Sequence, residues 1–168
     1  MGIKIDQARQ RAKELLSECG IERVPTPLAR LARKLGIRVD YTPLDDALSG
    51  MAFIKDGQKL VWVNSLHHPN RQRFTLAHEI GHHVLHANEL EAGVHVDKGM
   101  LRRDAVSTQG TELIEIQANN FASELLMPEE RLRTLVGEGV NLEDEARMAA
   151  LAAKFQVSTA ALQYRLLR

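Results

Sequence analysis

Apolar positions near the N-terminus recur at helical spacing: Ala8, Ala12, Leu15, Leu16 and Cys19, with Gly20 as the stop. Thr26-Pro27 reads as an N-cap and first helical residue. Leu28, Leu31, Ala32 and Leu35 then form the buried stripe of a second helix that Gly36 ends. The period next drops to two. Ile37, Val39 and Tyr41 alternate, Met51 to Ile54 is a further apolar run, and Asp56-Gly57 signals a hairpin before Leu60 to Val63. A small antiparallel sheet of about three strands is predicted. After the loop from Asn64 to Asn70, helical spacing returns over about 71–87. Residues 88–110 are polar and aperiodic, which predicts a flap or covering loop. A helix is expected from Thr111 to Met127, another from Pro128 to Gly137, and two more behind the N-caps Asn141 and Ser158. The order of helices, sheet and helices predicts an α+β fold in one domain over 1–168. Its parts are N-terminal helices and sheet (1–66), a central helix (71–87), the flap (88–110) and a helical C-terminal part (111–168).

Composition narrows the function classes. At 44% hydrophobic and 26% charged, the 168 residues can build a core. Lys plus Arg and Asp plus Glu both number 22, so the chain lacks the basic excess of a non-specific nucleic-acid or anionic-membrane binder. The balance is uneven: residues 1–75 carry 13 basic and 8 acidic groups, and residues 76–168 carry 9 and 14. One cysteine, no apolar run of membrane-spanning length and no signal-peptide pattern predict a soluble, cytoplasmic protein.

The chemistry concentrates in Phe74-Thr-Leu-Ala-His78-Glu79-Ile-Gly-His82-His83-Val-Leu-His86. Four residues turn a helix by about 400°, so His78 and His82 share a face within reach of one ion. Zinc takes neutral imidazoles and a third ligand, leaving a position for water. Glu79, about 100° round from His78, is placed to take that water's proton rather than to share the ion. Gly81 would let another element approach closely. Among the later acids, Glu115 falls inside the apolar arc of Ile114, Ala118, Phe121, Ala122, Leu125 and Leu126. Glu124 points away from that arc and Glu112 lies at its edge. A carboxylate in an apolar stripe must be paired, protonated or metal-bound, so Glu115 is the candidate third ligand, with pairing to an arginine such as Arg73 as the alternative. Asn119, one turn on, could orient a ligating imidazole. His83 and His86 are read chiefly as surface or core packing residues, with support of a metal ligand from behind as the alternative for His86, and His67-His68-Pro69 as a solvated loop. His95 is a candidate oxyanion donor only if the 88–110 segment folds over the cleft.

Several segments together resemble the ImmA/IrrE metallopeptidases. They are Thr26-Pro-Leu with Leu31-Ala32, Gly36-Ile37, Ser49-Gly50, Asn64, Arg71-Gln-Arg-Phe-Thr-Leu-Ala-His-Glu-Ile-Gly-His and Glu115-Ile-Gln-Ala-Asn-Asn-Phe-Ala-Ser-Glu-Leu-Leu-Met-Pro128. The resemblance covers most of the chain. It implies a zincin-like fold, with His78, His82 and Glu115 as zinc ligands and Glu79 as the catalytic glutamate. It further implies cleavage of a cognate helix-turn-helix repressor, which releases the repressed genes. Nothing here resembles the C-terminal sensory domain of the longer members, and no complete DNA-binding domain precedes the sheet. The short type, commonly encoded beside its repressor, is expected.

The leading expectation is a zinc endopeptidase, with Mn²⁺ or Fe²⁺ as alternatives in the cell. The competing one is a regulatory protein that sequesters a repressor or antitoxin-like partner without cutting it. Direct nucleic-acid binding is disfavoured. Ala152, Val157 and Leu162 fit a helix-turn-helix spacing, but Gln156 stands where Gly is usual, and Arg165 and Arg168 come only near the end of an acidic half. Substrate is expected along the Leu60–Val63 strand, if that strand is a sheet edge.

Overall fold

The computed structural model describes residues 4–97 and 109–168. Two N-terminal helices, α1 (Ile5–Glu18) and α2 (Leu28–Lys34), lead into strands β1 (Ile37–Thr42), β2 (Gly50–Lys55) and β3 (Gln58–Asn64). The long α3 (Pro69–Leu85) follows, then the short α4 (Ala87–Ala92) and β4 (His95–Asp97). The chain ends in α5 (Gln109–Leu126), α6 (Glu129–Val136), α7 (Glu145–Phe155) and α8 (Thr159–Leu166). This is the α+β order the patterning predicts. Among the described residues no helix is long and apolar enough to cross a membrane.

Local chemistry explains most boundaries. The stripe Ala8, Ala12, Leu15 and Leu16 is buried, and Gly20 leaves α1 with φ +61°. Asp56 (φ 50°) and Gly57 (φ 75°) both take the left-handed backbone that a tight two-residue hairpin requires. Ser158 and Asp144 cap α8 and α7. Thr26 departs from expectation. Its hydroxyl donates to the Leu125 carbonyl at 2.7 Å, tying the start of α2 to the end of α5, and Pro27 takes the N-cap position instead. His68 does the capping at α3, its Nδ1 accepting from the Asn70 amide at 3.1 Å, which starts the helix two residues before the predicted boundary.

The sheet departs from the three-stranded antiparallel expectation. It has four strands in the order β1-β3-β2-β4, and β1 runs parallel to β3 while the other two pairings are antiparallel. The fourth strand and α4 come from the segment read as an aperiodic flap; residues 98–108 of that segment lie outside the described residues. Strand β3 is therefore central, paired on both edges, which rules out adding substrate to Leu60–Val63. The turn that brings β1 alongside β3 is held by buried Asn64. Its amide nitrogen donates to the carbonyls of Leu48 (2.8 Å) and Asp45 (3.2 Å), and its oxygen accepts from the amides of Leu66 (3.0 Å) and Leu44 (3.2 Å).

One face of the sheet buries Ala52, Val61 and Val63 in the core cluster that also holds Leu76, Ala77 and Ile80 of α3 and Phe121, Ala122 and Leu125 of α5. Two glycines set how close these layers come. A Cβ on Gly81 would lie 3.0 Å from the Phe121 ring, so the glycine lets α3 and α5 cross tightly. A Cβ on Gly50 would lie 2.6 Å from Thr75 Cγ2 and 2.8 Å from the Trp62 carbonyl, so β2 reaches α3 only because that position is bare.

Candidate metal and catalytic site

Helix α3 is polar in its middle. His78, Glu79, His82, His83 and His86 are all buried, an expensive arrangement unless every group is partnered or used. His78 and His82, one helical turn apart, bring their Nε2 atoms to 3.0 Å of each other. From α5, Glu115 presents Oε2 at 3.2 Å to His78 Nε2 and Oε1 at 3.3 Å to His82 Nε2. The three side chains singled out by spacing and arc thus meet at one point.

Partners behind the rings decide what that point is made of. His78 Nδ1 donates to Asn119 Oδ1 at 2.8 Å, which leaves Nε2 with its lone pair toward Glu115. His82 is set by a longer chain. His86 Nε2 donates to Gln117 Oε1 at 2.8 Å, so His86 Nδ1 is an acceptor; it takes the proton of His82 Nδ1 at 3.0 Å, and His82 Nε2 is bare. His86 is therefore more than the packing residue expected. Only Gln117, thirty-one positions away, reveals its role. His83 does serve structure: its Nε2 donates to the Leu60 carbonyl at 2.9 Å and fixes α3 to the middle of β3.

His95 is the addition that sequence reasoning underrated. Carried by β4, its ring stacks on His82 with centroids 3.7 Å apart. Its Nε2 lies 2.6 Å from Glu115 Oε1 and its Nδ1 lies 3.1 Å from Glu79 Oε2. It bridges two carboxylates, one of them Glu79, and so sits within the cluster itself. A segment without periodicity gave no signal of this.

Electrostatics follow from these contacts. Burial pushes His95 down, but its bonds and charge interactions with Glu115 and Glu79 outweigh it and raise the imidazole to about 10, the state in which both nitrogens donate. Burial likewise opposes charge on His78, yet Glu115 and Glu79 bring it to about 8. Burial, reinforced by the like charges of His78 and His95, drives His82 down to about 3, so it is a neutral imidazole. Burial works against charge on Glu115 too, but three imidazoles hold its carboxyl far below the usual range. Glu79, wholly buried, is pushed up by desolvation.

The donor set fits a divalent cation. With the His78 Nε2 proton lost, two imidazole nitrogens and a carboxylate at mutual distances of 3.0–3.3 Å would repel, and a cation among them takes that proton's place. His78, His82, His95 and Glu115 offer ligand atoms all within 4.8 Å of one another, and His78, Glu79 and Asp97 form a second such group. Beside the first, Glu79 Oε1 is buried and has no hydrogen-bond partner among the described residues. An orphaned carboxylate oxygen next to a ligand cluster is what a proton acceptor requires.

Glu124, which the helical arc places on the far side of α5, is also buried, and more deeply. Its Oε2 accepts from Arg165 at 2.5 Å and its Oε1 from the Glu129 amide at 3.0 Å. The arginine-paired carboxylate considered for Glu115 with Arg73 exists here instead, with a different arginine. Arg165, one of the two cations a DNA-reading α8 would offer, is committed to that pair and to the Met127 carbonyl at 3.3 Å.

The chain is similar to known proteins in sequence and in fold. The Peptidase_M78 family model, described as the IrrE N-terminal-like domain, matches residues 32–167. The radiation response metalloprotease IrrE of Deinococcus radiodurans is 36% identical over 100 residues, which are 56% of this chain and 28% of that protein. A Mycobacterium tuberculosis transcriptional regulator superposes with a TM-score of 0.62 at 19% identity, covering 96% of this chain and 46% of that one, a likeness of fold. The chain thus spans between a quarter and a half of these longer relatives.

Proposed function

For a chain that belongs to the Peptidase_M78 family, we propose metal-dependent endopeptidase activity, with His78, His82 and Glu115 holding a divalent ion and Glu79 as the general base. The observation that carries this is the convergence of those three donors beside the unpartnered Oε1 of buried Glu79. Two imidazoles and one carboxylate are a zinc donor set. When bound, such an ion supplies Lewis acidity, activating water and polarising the scissile carbonyl.

The rest is work for the chain's own groups. Glu79 Oε1 takes the proton of the attacking water, and the same oxygen returns it to the leaving amine nitrogen. His95, hydrogen-bonded to Glu79 Oε2, holds that carboxylate in orientation. Asn119 fixes the ring of His78, and Gln117 acting through His86 fixes that of His82. Gly50 lets β2 close over Glu79, whose Cγ would lie 3.5 Å from a Cβ there, and so helps keep bulk water off the base.

The substrate we assign is a helix-turn-helix transcriptional repressor, on the strength of the two helical blocks shared with the ImmA/IrrE metallopeptidases; cutting it would relieve repression. The test uses a helix-turn-helix repressor, if one is encoded beside this chain. Zinc-loaded protein should convert it to two fragments seen by intact-mass spectrometry, and a chelator should stop the reaction. Glu79→Gln should retain metal and lose about 10²- to 10⁴-fold in rate. If Glu79→Gln relieves repression as well as the parent does, sequestration replaces proteolysis.

A further inference from the structure

A cavity of about 270 Å³ opens directly off the cluster. His82, His86 and His95 are among its lining residues, which places it beside the point where the ligand atoms meet. The remainder is largely apolar, with Leu90 of α4, Val94 before β4 and Ile114 of α5, and the exposed Glu89 stands at the mouth. Val94 keeps 56% of its surface exposed although the core lies beside it. Among the described residues nothing covers these apolar side chains, and beside a catalytic cluster that points to a ligand that does.

Size and charge define the ligand. The volume lies below the roughly 300–1,000 Å³ of pockets that take a whole small molecule, and suits one side chain. Apolar walls select against polar groups, which would lose their water without gaining a partner. Glu89 at the entrance selects against an acidic group in particular.

We propose that this cavity is the subsite for a bulky apolar side chain, of the leucine, methionine or phenylalanine class, on one of the two residues flanking the scissile bond. The inference rests on the peptidase reading above. A side chain seated against Leu90, Val94 and Ile114 brings its own backbone alongside His82 and His95, where the carbonyl must be held for reaction. Specificity at the cut would then be a matter of filled volume, and the folded repressor's docking would select which apolar residue is presented.

Acetylated hydroxamates of glycine, leucine and aspartate test this without turnover, by calorimetric titration of the zinc-loaded full chain. The leucine probe should bind at least about tenfold tighter than the glycine probe, and the aspartate probe no tighter than glycine. Ile114→Trp, which fills the cavity from α5, should erase the leucine-over-glycine ratio. Val94→Trp fills it from the segment before β4, and decides the matter if the α5 variant does not fold. Equal binding of leucine and glycine probes to zinc-loaded wild-type protein would overturn the subsite and leave the peptidase reading standing. Either filling variant keeping the leucine advantage would also overturn it. Wild-type protein that takes up no zinc would overturn both.

Discussion

Helix α5 carries two glutamates nine positions apart, and they have opposite fates. Nine residues turn a helix about 900°, so Glu115 and Glu124 face opposite sides. Glu124 meets fixed, single-purpose donors, Arg165 and the Glu129 amide, and its residue is 1% exposed. Glu115 meets three imidazoles and keeps 31% of its side chain exposed. The buried pair at Glu124 has nothing left to give. The cluster at Glu115 has bare nitrogens, an adjoining orphan oxygen and an opening to a cavity. Burial alone therefore does not mark a functional carboxylate. What separates the two is whether every lone pair is already answered by the protein.

Breaking the closed end should cost stability and nothing else. Arg165→Met leaves Glu124 buried without its cation and should lose about 3–5 kcal/mol in denaturant unfolding, with metal content unchanged. Adding Glu124→Leu should recover most of that loss, because neither charge is then stranded.

Disturbing the open end from behind should do the reverse. His86→Leu removes the acceptor that holds His82 Nδ1–H and should weaken metal binding about 10- to 100-fold, measured by competition with a chromophoric chelator. Gln117→Leu acts one step further back, and should shift affinity in the same direction by less. Loss of fold in either variant without loss of affinity would make the relay a packing feature.

A third carboxylate gives the scale of an ordinary surface pair. Glu129 bonds Lys13 Nζ at 2.6 Å, bridging α6 to α1. The Lys13 ammonium, through its hydrogen bond and its charge, holds the Glu129 carboxyl below its ordinary 4.5. A depressed acid stabilises the fold above its unfolded pKa and loses that contribution as pH falls through the folded value. Glu129→Gln should therefore cost up to about 1 kcal/mol at neutral pH, and the difference should shrink below about pH 4.

How much of this was legible in the sequence depends on how local each cause is. His78, Glu79 and His82 were readable because one helical turn fixes their relation. Glu115 stood out as a charge in an apolar arc, and Asn119 followed from it. Glu124 was rightly placed away from the apolar arc, but its burial went unread, because a helical wheel imagines one covered side, whereas the Glu129 amide and Arg165 close on Glu124 from the other. His86, offered by its place near the ligand pair, gained a definite role only from its partner on another helix. His95 sits in a three-residue strand, too short for any period to show. The parallel β1–β3 pairing depends on a turn pinned by one asparagine, and alternation within a strand carries no information about its neighbour. In each case the missing quantity is a contact between elements far apart in the chain.

The contrast within α5 reduces to a single measurement: zinc per chain, by mass spectrometry of metal content after equilibrium dialysis, in Glu115→Gln and Glu124→Gln side by side. A centre that uses only the open end predicts about one zinc per chain in the wild type and in Glu124→Gln, and a large loss in Glu115→Gln. Stoichiometric zinc in Glu115→Gln would contradict it, and would move the third ligand to another residue of the cluster.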